Sequence, residues 1–169
     1  MTLVADASPL IFLAKVDCLN LISRLFKGPV RIPESVRDEV LAPPTPTAEE
    51  QVLRSFLDRS RIEPVANPRR FAAALSRADN DALTLAVRIR ADLLLADDRL
   101  LRELARVEHI RPMGTLGILL RAQEQEIHRP ADTQKLVDAL IRRHGFRIGI
   151  EVYRATLERI HARQPKHKR

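Results

Sequence analysis

The sequence predicts an α/β fold: a central parallel sheet of about four to five short strands, flanked by helices. Its 169 residues, 45 % of them apolar, suit one ordinary domain with a buried core. Short apolar segments alternate with segments of helical period, and parallel strands need such helical crossovers. Residues 93–96 (LLLA) are apolar throughout, as expected of a strand that is covered on both faces of its sheet.

Each element follows from a local pattern. Ser8 and Pro9 are typical of a helix cap and a first helical residue. Asp132 is predicted to cap a later helix, which Gly145 ends. The predicted strands are residues 2–5, 30–32, 62–65, 93–96 and 109–111. The predicted helices are residues 9–16, 19–26, 33–41, 47–57, 79–91, 97–105, 115–127, 132–144 and 151–161, with a loop at 43–46.

The positive charge of the chain is concentrated at its C-terminus. We predict one domain, residues 1–163, helical from about residue 115, and a disordered basic tail at 164–169. The net charge of +7 lies within residues 142–169, where nine Lys and Arg residues face two Glu residues. Arginine, which outnumbers lysine 24 to 5 in the whole chain, binds phosphate in a bidentate way. We expect nucleic-acid contact by this region, with a purely solubilising tail as the alternative.

Composition excludes several classes of protein. The single cysteine, Cys18, forms no internal disulfide, no Cys/His cluster has zinc spacing, and we expect Cys18 to be a buried apolar residue. No apolar run approaches the roughly 20 residues of a membrane span, so we expect a cytoplasmic protein without membrane contact. Aromatic residues make up only 4 % of the chain, which argues against binding of nucleic acid by base stacking.

Carboxylates follow two of the predicted strands. Asp6 comes directly after residues 2–5, and Asp97 and Asp98 come directly after residues 93–96. Ligands of parallel sheets bind beyond the carboxyl ends of the strands, where these acids are expected to meet. Crowded carboxylates repel one another unless a cation compensates, and oxygen-rich sites suit Mg²⁺ or Mn²⁺. The alternative for each acid is a plain helix cap.

Two predicted helices add further acids. Glu39 lies in the helix that follows the second strand, and Asp79 and Asp81 lie at the start of the helix that precedes residues 93–96. For each, the alternative is a solvated helix surface. Helical periodicity does not choose between Asp79 and Asp81, because both can border the core. The choice between Asp97 and Asp98 is equally open.

Five strings carry a resemblance to a known family. They are residues 4–11 (VADASPLI), 32–40 (IPESVRDEV), 81–86 (DALTLA), 94–99 (LLADDR) and 114–120 (GTLGILL). Together they resemble PIN-domain nucleases, in particular the branch of VapC-like toxins. The resemblance covers about residues 2 to 160, which is nearly the whole chain. It implies a PIN-like three-layer fold.

The resemblance also implies an activity and its residues. A PIN-like nuclease is a Mg²⁺- or Mn²⁺-dependent endoribonuclease that hydrolyses RNA phosphodiesters. The residues that match its catalytic and metal-binding positions are Asp6, Glu39, Asp81 and Asp98, with Asp79 and Asp97 as alternative ligands. Ser8 and Arg99 are the expected substrate contacts, although a plain helix cap also accounts for Ser8. Ala7 departs from the family, because many relatives carry Thr or Asn there.

A toxin of this branch implies partners as well. The resemblance predicts RNA as substrate, a small antitoxin protein as partner, and a homodimer. The alternative function is a catalytically weak PIN-like module that binds nucleic acid or a partner protein. A third class, phosphotransfer on an aspartate, needs paired acids or an Asp-x-Asp after the first strand, and residues 6–8 (DAS) fit neither.

Overall fold

The computed structural model describes residues 1–43 and 47–162, with the side chain of residue 47 left out. Its sheet has five parallel strands in the order β3-β2-β1-β4-β5 and is flanked by helices, which confirms the predicted fold class. The strands are β1 (Leu3–Ala5), β2 (Val30–Pro33), β3 (Arg61–Glu63), β4 (Leu93–Leu95) and β5 (Arg111–Met113).

The centre of the sheet is made by β1 and β4. All residues of both strands are buried, because helices cover both faces of a parallel sheet. Leu3 pairs with Leu93, and Ala5 pairs with Leu95. The chain order runs from β1 to β3 on one side and from β4 to β5 on the other. The boundary between β1 and β4 is therefore the switch point at which parallel sheets bind their ligands.

Nine helices lie within the described residues. They are α1 (Ala7–Lys15), α2 (Asn20–Leu25), α3 (Glu34–Val40), α4 (Thr47–Asp58), α5 (Arg77–Arg88), α6 (Arg99–Val107), α7 (Thr115–Glu124), α8 (Pro130–His144) and α9 (Ile150–His161). Gly145 ends α8 in the left-handed region (φ 69°), as predicted. None of these helices has the length and apolar character needed to cross a membrane.

Two predicted helix caps are wrong. The cap position of α1 is held by Asp6, so Ser8 lies inside the first turn. Asp132 lies in the first turn of α8, which begins at Pro130 after Arg129, because the fixed φ of proline suits a first helical position. The carboxylate of Asp132 instead accepts a hydrogen bond from the Nε of Arg129 (2.9 Å).

Two element boundaries also differ from the prediction. The strand expected at 109–111 is at Arg111–Met113, because His109 turns into the left-handed region (φ 61°) and its N–H donates to Arg106 at the end of α6. The helix expected from residue 79 starts at Arg77. Ser76 caps it and forms a capping box with Asp79, in which each side chain accepts from the other residue's backbone N–H.

The chain divides into two compact units, Met1–Thr115 and Leu116–Arg169. The first contains the sheet and helices α1 to α6, and Cys18 is buried in it as expected. In the second, the side chain of Gln123 donates to the carbonyl of Ile160 (2.9 Å), and Arg159 pairs with Glu124 (2.7 Å). Residues 44–46 of the predicted loop and the predicted tail at 164–169 lie outside the described residues.

Candidate active site

Asp6 lies directly after β1 at the carboxyl edge of the sheet and is only 3 % exposed. Its backbone N–H donates to the carbonyl of Leu95 on β4 (2.9 Å), which fixes it at the switch point. Burial, followed by the negative charges of Asp79 and Glu39, raises the pKa of Asp6 to about 7. Backbone N–H groups at the start of α1 act in the opposite direction. Asp6 is thus a buried acid beside other acids.

Glu39 and Asp79 complete a group of three mutually repelling carboxylates, which we call the acidic cluster (Asp6, Glu39 and Asp79). Glu39 lies near the end of α3, and desolvation together with the charge of Asp79 raises its pKa. Asp79 is half-buried in the first turn of α5, where one of its oxygens accepts the N–H of Ser76 (2.9 Å). Each acid comes from a different part of the fold, and the three lie within electrostatic range of one another.

Asp81 has different neighbours from Asp79, although only two residues separate them on α5. The Ser35 hydroxyl donates to its Oδ2 (2.6 Å), and the Nε of Arg77 lies 3.8 Å from the same oxygen. The residue is 4 % exposed. Its other oxygen, Oδ1, is buried and accepts no hydrogen bond from any residue that the structure describes. An unsatisfied buried carboxylate oxygen is costly, and a cation would satisfy it.

Asp97, which follows β4, is held by Thr115 at the start of α7. The backbone N–H of Thr115 donates to Oδ1 (2.8 Å) and its hydroxyl donates to Oδ2 (2.6 Å). Burial raises the pKa of Asp97, while these two bonds and the charge of Arg102 oppose the rise. Gly114 makes this contact possible, because a Cβ there would lie 2.6 Å from Oδ1 of Asp97.

Asp98 and Arg99 lie on the surface. The carboxylate of Asp98 caps α6 by accepting the N–H of Leu101 (2.8 Å), which is the helix-cap alternative for this residue. The side chain of Arg99 is 92 % exposed and forms an ion pair with Glu103 one turn further along the helix (2.9 Å). Their roles as metal ligand and substrate contact remain predictions.

Ser8 and Ala7 lie in the first turn of α1, next to Asp6. Ser8 is half-buried, so its hydroxyl remains a predicted contact for a phosphate or a water. Ala7 is fully buried and supplies no hydroxyl.

The residues present fit a divalent cation by charge, although they are not drawn together around one. Across residues 1–43 and 47–162, no three acidic, His or Cys side chains are close enough to hold a metal ion. Desolvation and neighbouring negative charges nevertheless raise the pKa values of Asp6 and Glu39, so the ionised acids of the acidic cluster repel one another. Carboxylate oxygens under mutual repulsion are the donor set that Mg²⁺ and Mn²⁺ prefer.

Two residues that hold the acids in place were not predicted from the sequence. Ser35 and Thr115 each donate to a carboxylate that the sequence had singled out, at 2.6 Å in both cases. The signal for Thr115 was present in the string 114–120, which we interpreted only as a helix start. The signal for Ser35 was its place four residues before Glu39, on the same face of α3.

Comparison with known protein families identifies the family to which the chain belongs. A family model described as a PIN domain (DUF3368) matches residues 2–162. No curated protein sequence matches the chain to a significant degree. PIN domains are in general nucleases, which are hydrolases of phosphodiester bonds. With a five-stranded parallel sheet, acids at its carboxyl edge, and a family match over nearly its whole length, the chain belongs to the PIN-domain family.

Proposed function

We propose that the protein is a Mg²⁺- or Mn²⁺-dependent endoribonuclease. The observation that carries the proposal is the acidic cluster: Asp6 at the switch point of the sheet, together with Glu39 on α3 and Asp79 on α5, whose charges repel it. Such a cluster costs free energy unless a cation occupies it, and a cation there serves hydrolysis of an anionic phosphodiester. We infer RNA as the substrate from the resemblance to VapC-like toxins.

Asp6, Glu39 and one acid at the start of α5 would hold the metal. Charge coupling to Asp6 and Glu39 favours Asp79, whereas the resemblance assigns Asp81, which Ser35 and Arg77 contact. Asp98 is the proposed fourth acid, because both oxygens of its neighbour Asp97 already accept hydrogen bonds from Thr115. Because these acids stand on separate elements, loss of one should weaken metal binding without unfolding the protein.

The metal would neutralise charge on the phosphate oxygens and lower the pKa of the attacking water. In the alternative in which Glu39, the most exposed acid of the acidic cluster, does not bind the metal, it is suited to take the proton of that water. The water oxygen then forms a bond to phosphorus, the bond from phosphorus to the leaving sugar oxygen breaks, and solvent returns a proton to that oxygen. Ser8 would bind a phosphate oxygen at the start of α1, and Arg99 would contact the RNA.

We further propose that the protein acts as the toxin of a toxin–antitoxin pair, as a homodimer with a small antitoxin partner. This proposal rests on the resemblance. The alternative is a catalytically weak PIN-like module that binds nucleic acid or a protein. It is favoured by Ala7, which has no hydrogen-bonding side chain at a position where, by the resemblance, many relatives carry Thr or Asn.

The test is cleavage of a mixed RNA pool by purified protein with EDTA, Mg²⁺ or Mn²⁺. Mass spectrometry first establishes that the preparation contains no second polypeptide, since a bound antitoxin masks a nuclease. We expect cleavage only with metal and its loss in Asp6→Asn, because the amide removes one ligand charge at constant shape. Asp58→Asn, an exposed acid at the end of α4, is the matched control. Uncut RNA across metals and sequences would favour the binding module.

A further inference from the structure

A small pocket lies between the segment after β3 and the first turns of α5. It has a volume of about 270 Å³ and is lined by Pro68, Arg69, Arg70, Leu75, Arg77, Asn80 and Asp81. Residues 68–77 (PRRFAAALSR) contain three arginines and no acid. This local positive charge lies in the part of the chain whose overall charge is balanced, so composition alone conceals it.

The three arginines differ in whether their guanidinium groups already have hydrogen-bond or ion-pair partners. Arg69 is engaged, because it pairs with Glu108 (3.0 Å) and its guanidinium lies 4.5 Å from the centre of the Phe71 ring. Arg70 is exposed and makes no hydrogen bond or ion pair with any residue in the described ranges. The side chain of Arg77 is 87 % exposed and reaches only the 3.8 Å contact with Asp81. Arg70 and Arg77 therefore have donors to offer.

The segment that carries these arginines is anchored to α5. The backbone N–H of Arg69 donates to the hydroxyl of Thr84 (3.0 Å), and the N–H of Phe71 donates to the side chain of Asn80 (2.9 Å). Asn80 in turn donates to the carbonyl of Ser76 (2.8 Å). These bonds present the guanidinium groups from a fixed backbone, which lowers the entropic cost of binding a ligand.

The position of the pocket relates it to the acidic cluster. Arg77 is two residues from Asp79 on α5, and Asp81 forms part of the pocket wall. The buried carboxylate of Asp81 repels an anion, so a phosphate would remain at the rim with Arg70 and Arg77. RNA also needs positive charge beside the acidic cluster, which would otherwise repel its backbone.

We propose that Arg70 and Arg77 form a clamp for a backbone phosphate of the RNA, next to the phosphodiester that is cleaved. The inference rests on the proposed function and adds to it the residues that grip the substrate. Guanidinium groups suit this role because their planar donors match two phosphate oxygens at once. The clamp is sequence-independent, since it contacts the backbone and not the bases.

The test measures binding without turnover. Fluorescence anisotropy with a labelled single-stranded RNA of mixed sequence, in EDTA, is recorded at several salt concentrations for wild type, Arg70→Gln, Arg77→Gln and the double variant. The matched control is Arg24→Gln, an exposed arginine of α2, the helix that precedes β2, and it does not line the pocket. Circular dichroism and Tm establish that all variants are folded.

We expect each single variant to weaken RNA binding by about fivefold, and the slope of log K against log salt to flatten by about 0.7 per lost contact. Arg24→Gln should bind as wild type does. If wild type binds RNA and the pocket variants match Arg24→Gln, the clamp is wrong while the proposed function stands. If binding depends on Arg70 and Arg77 but wild type cleaves no RNA with any metal, the clamp stands and the nuclease proposal falls.

A competitor separates RNA from an acidic protein as the occupant. Poly-glutamate, matched to the RNA in total charge, is titrated into the complex of each variant. The clamp predicts that poly-glutamate displaces RNA poorly from wild type. The proposal would be overturned if poly-glutamate of equal charge displaced RNA from wild type but not from the double variant. The pocket would then be assigned to protein carboxylates.

Discussion

β1 and β4 lie side by side and each is followed by an aspartate, yet the two carboxylates have different neighbours. Asp6 is buried beside Asp79 and Glu39, and its pKa rises to about 7. Asp97 is also desolvated, but Thr115 donates to both of its oxygens and the charge of Arg102 favours its ionised form. Both carboxylates are desolvated, so the difference between them comes from the charges and hydrogen-bond donors of their neighbours.

The comparison separates two roles for a carboxylate at a strand end. The donors on Asp97 come from the protein, so that acid links the end of β4 to Thr115 at the start of α7. Asp6 lies among groups that carry its own charge, so its ionised form is unfavourable until a cation arrives. We therefore assign a structural role to Asp97 and a ligand-binding role to Asp6 in the proposed nuclease.

Asp6→Asn should have the largest effect on stability. In EDTA at pH 8 we expect the variant to be more stable than wild type by on the order of 3 kcal/mol, because the amide removes an unfavourable buried charge. Thermal and urea unfolding measure this difference. A variant that is less stable than wild type at pH 8 would show that the Asp6 carboxylate is well compensated in the folded protein.

The pH dependence of the stability of wild type tests the same effect. Asp6 ionises at about 3.8 when unfolded and at about 7 when folded, so the folded state binds more protons between these values. Stability without metal should therefore fall as the pH rises from about 4 to about 7, and Asp6→Asn should flatten this fall. Glu39 and Asp97, whose pKa values are also raised, contribute with the same sign.

Asp97→Ala should have the opposite effect on stability. It leaves the N–H and hydroxyl of Thr115 without their acceptor, and unpaired buried donors cost about 1–3 kcal/mol each. Unfolding in urea at pH 8 should show a loss of about 3 kcal/mol. Thr115→Val in the same background tests the pairing, because a double-mutant cycle should recover a coupling of about 1 kcal/mol or more. Additive effects would contradict the contact.

Gly114→Ala tests the contact between Asp97 and Thr115 from the backbone side. The added Cβ would lie 2.6 Å from Oδ1 of Asp97 and 3.3 Å from the carbonyl oxygen of Ala96, so the carboxylate must move away from Thr115. We expect a loss of about 1–3 kcal/mol in unfolding free energy. Gly149→Ala is the matched control, since nothing lies within 4 Å of its added Cβ. Equal stability of the two variants would show that Asp97 tolerates displacement.

The smallest expected effect separates the two acids of α5. Asp79→Asn should lower the pKa of Asp6, because the charge of Asp79 is the largest contribution after burial. Asp81→Asn should leave the pKa of Asp6 closer to its wild-type value, since the Ser35 hydroxyl and Arg77 are its neighbours. NMR titration of labelled aspartate carboxyls measures both. The reverse order of effects would return the metal-binding assignment to Asp81.

The fold was predictable because its strands are short and separated by helices, and because the two central strands are apolar throughout. Residues 93–96 indicate a strand covered on both faces, and β4 is such a strand. The displaced strand at Arg111–Met113 was not predictable, since the left-handed turn at His109 is a backbone conformation that residue identity does not reveal. The capping box of Ser76 and Asp79 could have been predicted from the sequence, because Asp can replace the usual Glu.

The candidate site was predictable in its acids but not in their surroundings. Asp6 can be selected from its strand end and the pair Asp79 and Asp81 from their helix start, whereas Glu39 is selected from the resemblance of residues 32–40. Which member of the pair faces Asp6 depends on how α5 is rotated against α3, and this follows from tertiary contacts alone. The arginine pocket of residues 68–77 depends in the same way on how a loop is pinned to α5.

The most direct test of the central claim is the pKa of the Asp6 carboxyl, measured by carbon NMR on labelled protein in EDTA and again in Mg²⁺. We predict a value of about 7 without metal and a clear decrease with Mg²⁺, because a bound cation favours the ionised form. The pKa of the Asp97 carboxyl, measured in the same spectra, should change little between EDTA and Mg²⁺. An Asp6 pKa near 4 in EDTA, or a value near 7 that Mg²⁺ leaves unchanged, would contradict the account.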